Sequence, residues 1–198
     1  MFEPVFAVWM IVIILAGTIL FLLVDRHKLK KLSYKDEMTG LLNRNALNDF
    51  FRKYNNRDKD IAVLFLDLDH FKEINDKLGH HVGDLLIRAI GQRLLLFMNP
   101  SLRVFRIGGD EFLIIVERYD LQQAERLADQ ILYCIRNVYD IGGLDLRVSG
   151  TIGICLGSMK DDPITLLRKS DSAMYKAKHE GKNHYFIYNN NQFGQVMN

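Results

Sequence analysis

The run from Ile61 to Asp69, IAVLFLDLD, constrains the fold more than any other part of the sequence. It has the length of a strand, and its first six residues are all apolar. A strand with one exposed face alternates between polar and apolar residues, whereas a strand covered on both faces does not. The run therefore predicts a central strand, which requires helices on both sides of its sheet.

Periodicity along the rest of the chain predicts those helices and the other strands. Helical spacing covers residues 43–54, 71–79, 82–98, 121–139 and 163–180. Strand patterns cover residues 102–107, 111–117, 146–157 and 184–188. The first two of these four strands are joined across Gly-Gly-Asp, which favours a hairpin. The order of elements predicts an α/β sandwich, in which helices pack on a mixed sheet.

The first segment of the chain differs from the rest in its hydrophobicity. Residues 5–24 contain no charged residue over 20 positions. As a helix they would measure about 30 Å, the thickness of the hydrocarbon core of a bilayer. A cleaved signal peptide is the main alternative, but it would have basic residues in front of its apolar core. Here Glu3 precedes the segment and a basic cluster, Arg26, Lys28, Lys30 and Lys31, follows it.

These features predict four divisions of the chain. We expect a transmembrane anchor over residues 1–25 and a basic, helical linker over residues 26–38. The globular domain then covers residues 39–190, and a short tail covers residues 191–198. By the positive-inside rule, the basic cluster places the globular domain in the cytoplasm.

The distribution of charge argues against one class of function. The chain has a formal net charge of +2, but residues 32–198 hold equal numbers of acidic and basic residues. A non-specific nucleic-acid binder needs a basic excess, because phosphate contacts dominate its affinity. We therefore expect no nucleic-acid polymer as a partner. Cys134 and Cys155 fall in a predicted helix and a predicted strand, and we expect both to be buried thiols.

Two pairs of acidic residues are candidates for a metal site. Asp67 and Asp69 end the central strand, and Asp110 and Glu111 lie on the hairpin turn. If the hairpin neighbours the central strand, acids from both pairs can converge at one sheet edge, where carboxylates suit magnesium. Gly108 and Gly109 would permit positive φ angles there and the close approach of a nucleotide. The alternative is that these residues form only a good turn and a polar strand end, and spacing alone does not decide between the two.

Five motifs together carry a resemblance to a known family. RIGGDEF at residues 106–112 is similar to the signature of the GGDEF family of diguanylate cyclases. Four further motifs match the family in the same order: DEMTGLLNR (36–44), DLDHFKEINDKLGHHVGD (67–84), TIGI (151–154) and SDSAMYKAKHEGKN (170–183). The resemblance covers residue 36 to about residue 190 and does not reach the apolar segment.

The resemblance implies an activity and a set of partners. Members of the family condense two GTP molecules into cyclic di-GMP and release two pyrophosphates. Each subunit of a homodimer binds one GTP, and the 3′-hydroxyl of each GTP attacks the α-phosphate of the other. The implied fold is like that of nucleotide cyclases and polymerase palm domains, with two Mg²⁺ or Mn²⁺ ions in each site. With the predicted anchor, the implied location is the cytoplasmic membrane of a bacterium.

The resemblance also assigns roles to residues by motif position. The metal ligands would be Asp67, Asp110, Glu111 and the backbone carbonyl of Leu68, and Glu111 would also be the catalytic residue. The guanine-binding pair would be Asn75 and Asp84, whose amide and carboxylate suit the edge of guanine. The remaining substrate-binding residues would be Lys72, Lys178 and Lys182 at the phosphates and Gly108 and Gly109 at the turn. For each lysine, a solvated surface charge is the alternative interpretation.

Three features depart from the usual family pattern. Lys182 stands where many members have arginine, so the bidentate fork is lost. The stretch from Asn99 to Leu102 replaces an Arg-x-x-Asp site for product inhibition, which predicts that this feedback is absent. The apolar segment carries no recognisable sensory module. The rival to an active cyclase is a catalytically inactive module that binds GTP or a protein partner; the two signature acids, Asp110 and Glu111, favour the cyclase.

Overall fold

The computed structural model describes residues 3–32, 34–54 and 59–189. Six helices are present in these residues: α1 (Glu3–Leu32), α2 (Arg44–Tyr54), α3 (Phe71–Leu78), α4 (His80–Leu95), α5 (Leu121–Arg136) and α6 (Pro163–His179). The strands described are β1 (Asp60–Leu68), β2 (Leu102–Arg106), β3 (Glu111–Glu117), β4 (Tyr139–Ile141), β5 (Leu144–Leu146), β6 (Gly150–Ser158) and β7 (Tyr185–Ile187). The predicted central strand, hairpin and mixed α/β architecture are confirmed.

Strand β1 lies at the centre of a five-stranded sheet with the order β2-β3-β1-β6-β7. It pairs in an antiparallel manner with β3 on one side and with β6 on the other, while β6 and β7 are parallel. Residues 61–66 of β1 are all buried. Because both neighbours and both faces of β1 are covered, the uninterrupted apolar run is explained by its position.

The two faces of the sheet are covered by different helices. On one face, Leu64 and Leu66 of β1 belong to a core shared with α4 and α5. On the other face, Val63 and Phe65 belong to a core shared with α2 and α6. Alternate residues of β1 therefore serve opposite cores, as the period of two in a strand requires.

Helix α6 lies unusually close to β6. A Cβ atom added to Gly153 would be 2.0 Å from the carbonyl oxygen of Ser170 and 2.1 Å from the backbone nitrogen of Met174. Only glycine leaves room for this contact between a helix backbone and a strand. The close packing fixes the position from which α6 presents Lys178 to the end of β1.

Two predicted boundaries around α5 and β6 were wrong. Helix α5 ends at Arg136, and Tyr139 begins β4 rather than ending a helix. Gly142 and Gly143 have φ angles of 62° and 85° and form the two-residue turn of the β4–β5 hairpin. Two adjacent glycines accept the positive φ angles that such a turn needs. The predicted strand from Leu146 therefore divides into the end of β5 and, from Gly150, strand β6.

The N-terminal segment forms α1, which continues to Leu32. The predicted helical linker thus ends inside residues 26–38, and the chain then turns before α2. The described side chains of α1 are those of residues 8–23, and all of them are exposed. Among the residues whose side chains the structure describes, no helix is long and apolar enough to span a membrane. The predicted transmembrane anchor is therefore not supported, and the predicted tail at 191–198 lies outside the described residues.

Candidate active site

The antiparallel register of β1 and β3 brings the two predicted acid pairs to one end of the sheet. Asp67 of β1 is the cross-strand partner of Glu111 of β3. The next residue, Leu68, donates its backbone N–H to the carbonyl oxygen of Asp110 at 3.3 Å. Directly opposed residues on antiparallel strands have side chains on the same face. The convergence that spacing alone could not decide is therefore present for Asp67 and Glu111.

The electrostatics of this acidic cluster favour a bound cation. Burial raises the pKa of Asp67, against the hydrogen bond from Lys178, and the charges of Asp110 and Asp69 raise it further. Burial likewise raises the pKa of Glu111, and so do the charges of Asp67 and Asp110. Repulsion between like charges raises pKa values, and a positive ion that binds between the charges relieves this repulsion.

The donor set of this site fits a hard divalent ion such as Mg²⁺, which prefers oxygen ligands. The oxygens available are the carboxylates of Asp67, Asp110 and Glu111 and the backbone carbonyl of Leu68. Among the described residues, no three acidic, histidine or cysteine side chains are already arranged as a metal-binding group. In this arrangement the ammonium of Lys178 contacts the carboxylate of Asp67 and offsets part of its charge. The assignment of these residues as metal ligands stays a prediction.

Asp69, the second acid at the end of β1, makes hydrogen bonds of its own beside the acidic cluster. Its side chain is buried, with 3% exposed. One carboxylate oxygen accepts from the hydroxyl of Thr151 at 2.7 Å, and the other accepts from the hydroxyl of Ser149 at 2.6 Å and the backbone N–H of Asn183 at 3.1 Å. With both oxygens engaged, Asp69 ties the end of β1 to β6 and to the loop after α6.

The two glycines of the turn act differently from the prediction. Neither Gly108 nor Gly109 has a positive φ angle. A Cβ atom on Gly108 would lie 2.3 Å from a carboxylate oxygen of Glu111, whereas one on Gly109 would meet nothing within 4 Å. A Cβ atom on Gly108 would therefore displace the carboxylate of Glu111, whereas the backbone conformation does not call for glycine.

Three residues that hold the turn were given no role by the sequence. Arg106 donates to the carbonyl of Gly109 through Nε at 3.2 Å and Nη2 at 2.8 Å, and its Nη1 donates to the carboxylate of Asp36 at 3.0 Å. Arg44 donates to the carbonyl of Ile107 at 3.0 Å. The motif DEMTGLLNR contains both Asp36 and Arg44, and it was the one signal that could have found them.

The predicted guanine-binding residues lie where α3 meets α4. The side-chain oxygen of Asn75 lies 1.8 Å from the point that a Cβ atom on Gly83 would occupy. Gly83 therefore lets the amide approach the backbone of α4 next to Asp84, which is exposed. The side-chain oxygen of Asn75 is buried without a hydrogen-bond partner among the described residues. A buried acceptor without a partner is costly, and a ligand that donates to it removes that cost.

The three predicted phosphate-binding lysines differ in their surroundings. Lys178 contacts Asp67, as described above. The ammonium of Lys182 lies 3.2 Å from Nε2 of His70, at the start of α3. Lys72 is exposed on the first turn of α3, whose start has no side-chain cap among the described residues. The structure thus places Lys178 and Lys182 near the end of β1, with Lys72 on the adjacent helix.

The stretch that replaces the product-inhibition motif forms a closed turn. The backbone of Asn99 and Leu102 exchanges two hydrogen bonds of 3.0 and 3.1 Å. The side chain of Asn99 accepts from the backbone N–H of Ser101 at 2.9 Å, and Leu102 is buried. Neither residue offers a charge to a cyclic dinucleotide.

Comparison with known proteins identifies a family for most of the chain. Residues 33–184 match the family described as "Diguanylate cyclase, GGDEF domain". MucR of Pseudomonas aeruginosa, named a bifunctional diguanylate cyclase/cyclic di-GMP phosphodiesterase, is 35% identical over 170 residues, which cover 82% of this chain and 24% of MucR. The diguanylate cyclase DgcP of Escherichia coli is 36% identical over 155 residues, which cover 74% of this chain and 45% of DgcP.

A solved structure agrees with these sequence matches. The GGDEF domain of TpbB, also called YfiN, from Pseudomonas aeruginosa superposes with a TM-score of 0.74 and 34% identity. The match covers 83% of this chain and 100% of that domain. Since the chain spans less than half the length of MucR and of DgcP, these matches concern one domain of those larger proteins. Other relatives are named cyclic di-GMP phosphodiesterases.

Proposed function

The chain belongs to the GGDEF family of diguanylate cyclase domains, and we propose that it is itself an active cyclase that condenses two GTP molecules into cyclic di-GMP. The observation that carries this proposal is the cross-strand pairing of Asp67 with Glu111 beside Asp110. Both signature acids are present, and they lie against a third carboxylate on the neighbouring strand. The names of MucR and DgcP, each of which includes diguanylate cyclase, also support this activity.

In this proposal the bond changes are the same in each half of the reaction. The 3′-oxygen of one GTP forms a bond to the α-phosphorus of the other, the bond to pyrophosphate breaks, and the hydroxyl proton leaves. In this proposal Glu111 accepts that proton. Two reactions between the same two GTP molecules close the ring and release two pyrophosphates.

The other residues of the site bind and orient the substrate. Asn75 and Asp84 bind the guanine edge, and the unpartnered oxygen of Asn75 accepts from a guanine N–H. The ammonium groups of Lys72, Lys178 and Lys182 offset the charge of the triphosphate. Asp67, Asp110, Glu111 and the Leu68 carbonyl would hold two Mg²⁺ or Mn²⁺ ions. When bound, such ions stabilise the charge on the attacking and leaving oxygens.

The proposal includes a homodimer. GGDEF domains bind GTP and work as dimers, and each subunit of this chain contains one set of guanine, phosphate and acidic residues. One such set holds one GTP, so a monomer would bind substrate without forming product. The rate at low protein concentration should therefore rise with the square of that concentration.

We also propose that α1 attaches the chain to the cytoplasmic membrane of a bacterium by a single pass, with the cyclase domain in the cytoplasm. The support comes from the uncharged sequence of residues 5–24 and the basic cluster that follows it. The exposed apolar side chains of residues 8–23 also support the proposal, because a continuous apolar surface of this kind marks a contact with a membrane or another protein. Recovery of the full chain in the membrane fraction after an alkaline wash is expected; recovery in the supernatant would contradict this part of the proposal.

A GTP-binding module without cyclase activity is the second candidate. It is favoured by the relatives named phosphodiesterases, which contain a matching domain. The deciding experiment incubates the purified full chain with GTP and Mg²⁺ and separates the products by chromatography, with Glu111→Ala in parallel. Cyclic di-GMP from the unaltered chain alone supports the cyclase. GTP bound by a proven dimer without any product would support the binding module.

A further inference from the structure

Lys182 is held by a short chain of hydrogen bonds that ends on α3. Its ammonium lies 3.2 Å from Nε2 of His70, and Nδ1 of His70 lies 2.5 Å from the carboxylate of Glu73. An ammonium can only donate, and an ionised carboxylate can only accept. His70 must therefore accept from Lys182 at Nε2 and donate to Glu73 from Nδ1. The two neighbours thus select one neutral tautomer of the imidazole.

Glu73 can accept the hydrogen bond from Nδ1 of His70 because its carboxylate is ionised. The hydrogen bond from His70, followed by that from Lys77, holds the pKa of Glu73 below its usual range. Lys77 contacts the second oxygen of Glu73 at 3.4 Å and so leaves the first oxygen to His70. The carboxylate thus acts on Lys182 through the imidazole.

The backbone brings the two ends of this chain together. Asp69 precedes His70, and its buried carboxylate accepts from the backbone N–H of Asn183, which follows Lys182. His70 and Lys182 have φ angles of 58° and 61°, in the left-handed region. This region is unfavourable for lysine, while histidine is among the residues that enter it more readily. The fold therefore maintains a strained backbone at Lys182, and that backbone directs the ammonium towards His70.

We propose that His70 and Glu73 are positioning residues, which hold the ammonium of Lys182 at the phosphates of the bound nucleotide. The inference rests on the proposed function, because it deepens the account of the same site. An arginine at this position would bring a planar fork with fixed geometry, whereas a lysine is a single charge on a flexible stem. A histidine acceptor restricts that stem before the substrate arrives and lowers the entropy lost on binding.

The test measures the affinity of the full-length protein for 3′-deoxy-GTP in the presence of Mg²⁺. This nucleotide lacks the attacking hydroxyl, so it binds without turnover. His70→Asn keeps a residue that tolerates the left-handed backbone but shortens the side chain, so that it no longer reaches Lys182. We expect about tenfold weaker binding, the order for one hydrogen bond to a charged group. With GTP as substrate, KM should rise by a similar factor and kcat should change by less than about twofold.

A double-mutant cycle separates positioning from a direct contact. In the Lys182→Ala background, His70→Asn should have no further effect on affinity, because the ammonium that it positions is gone. Lys77→Ala is the matched control: it removes one positive charge beside Glu73 and leaves the Lys182–His70–Glu73 chain intact. Its affinity should stay within about twofold of the unaltered protein, since an exposed charge pair contributes little.

Two outcomes of the His70→Asn experiment would overturn the inference. One is unchanged affinity in His70→Asn with a normal melting curve; the other is an equal loss of affinity in the presence and absence of Lys182. If His70→Asn does not fold, Glu73→Ala on the exposed face of α3 replaces it, and unchanged affinity there overturns the inference too. Binding of 3′-deoxy-GTP without cyclic di-GMP from GTP would defeat the proposed cyclase but leave the cycle decisive. No nucleotide binding by the unaltered protein would defeat both.

Discussion

Asp67 and Glu111 face each other across the β1–β3 pair, and the charge of Asp67 raises the pKa of Glu111. Burial makes the largest contribution for both groups. The protein therefore maintains an acidic pair that is unfavourable to its own stability when no cation is bound. Such stored repulsion is typical of functional sites.

The first prediction concerns the stability of the metal-free protein. Because the folded-state pKa of Glu111 is raised, the folded state holds its proton more tightly than the unfolded chain. Its contribution to stability is therefore lost as pH rises from the ordinary value of 4.5 through the raised value. Glu111→Gln should raise the melting temperature at neutral pH in EDTA, and the gain should vanish at acidic pH.

Glu37→Gln is the control for that prediction, since Glu37 is exposed on the turn before α2. It removes the same charge without relieving the acidic cluster, and it should leave the melting temperature unchanged. A lower melting temperature for Glu111→Gln at neutral pH would contradict the proposed repulsion.

The second prediction concerns the arginine that supports the turn. Arg106→Gln loses the fork to the Gly109 carbonyl and the ion pair with Asp36, so the signature acids lose their fixed position. We expect kcat to fall by about 10²-fold, the order that a 1 Å misplacement costs, with a smaller change in nucleotide affinity. Steady-state kinetics of the full chain would measure both.

The ion pair also has an effect on Asp36 that can be tested. Burial alone would raise the pKa of Asp36, but hydrogen bonds from Thr39 and Arg106 hold it below its usual range. Asp36→Asn weakens the ion pair that holds Arg106, so it should lower kcat as Arg106→Gln does. The effects of the two substitutions should be strongly non-additive. Additive effects would mean that the two residues act on the turn independently.

The third prediction uses the unpartnered oxygen of Asn75. Asn75→Ala removes a buried acceptor that has no partner in the free protein among the described residues. The variant should lose about tenfold or more in affinity for 3′-deoxy-GTP, and its melting temperature should not fall. We expect 3′-deoxy-ATP to bind weakly to both proteins, and its affinity should change little. A large loss of thermal stability with unchanged GTP affinity would show that Asn75 serves the fold instead.

The fourth prediction concerns feedback by the product. Asn99 and Leu102 form an uncharged, closed turn, and Leu102 is buried. Initial rates should therefore be insensitive to added cyclic di-GMP at micromolar concentration. Inhibition that disappears when residues 99–102 are replaced would contradict this expectation.

Local pattern was sufficient to predict the elements that lie close together in sequence. The apolar run of β1, the hairpin of β2 and β3 and the acids at their ends are all local signals. The β4–β5 hairpin was missed because Tyr139 continues a helical pattern, although Gly142 and Gly143 mark the turn. Attention to that pair of glycines would have corrected the boundary.

Contacts between distant parts of the chain could not be predicted in the same way. Asp69 looks like a metal ligand in sequence, but its partners Ser149, Thr151 and Asn183 lie 80 to 114 residues away. The pairing of Arg106 with Asp36 spans 70 residues, and that of Lys182 with His70 spans 112. These contacts depend on the packing of whole elements, which periodicity does not report.

The central claim is that the acids at the ends of β1 and β3 convert GTP into cyclic di-GMP. The most direct measurement is the mass-spectrometric yield of cyclic di-GMP from the full chain and from Glu111→Gln. A binding assay with 3′-deoxy-GTP first finds, for each protein, the nucleotide concentration that fills the same fraction of sites. Each protein then receives GTP at that concentration. We predict product from the unaltered protein and a loss of at least about 10³-fold in Glu111→Gln, because the group that accepts the hydroxyl proton is gone. Equal yields from the two proteins, or no product from the unaltered dimer at full occupancy, would contradict the account.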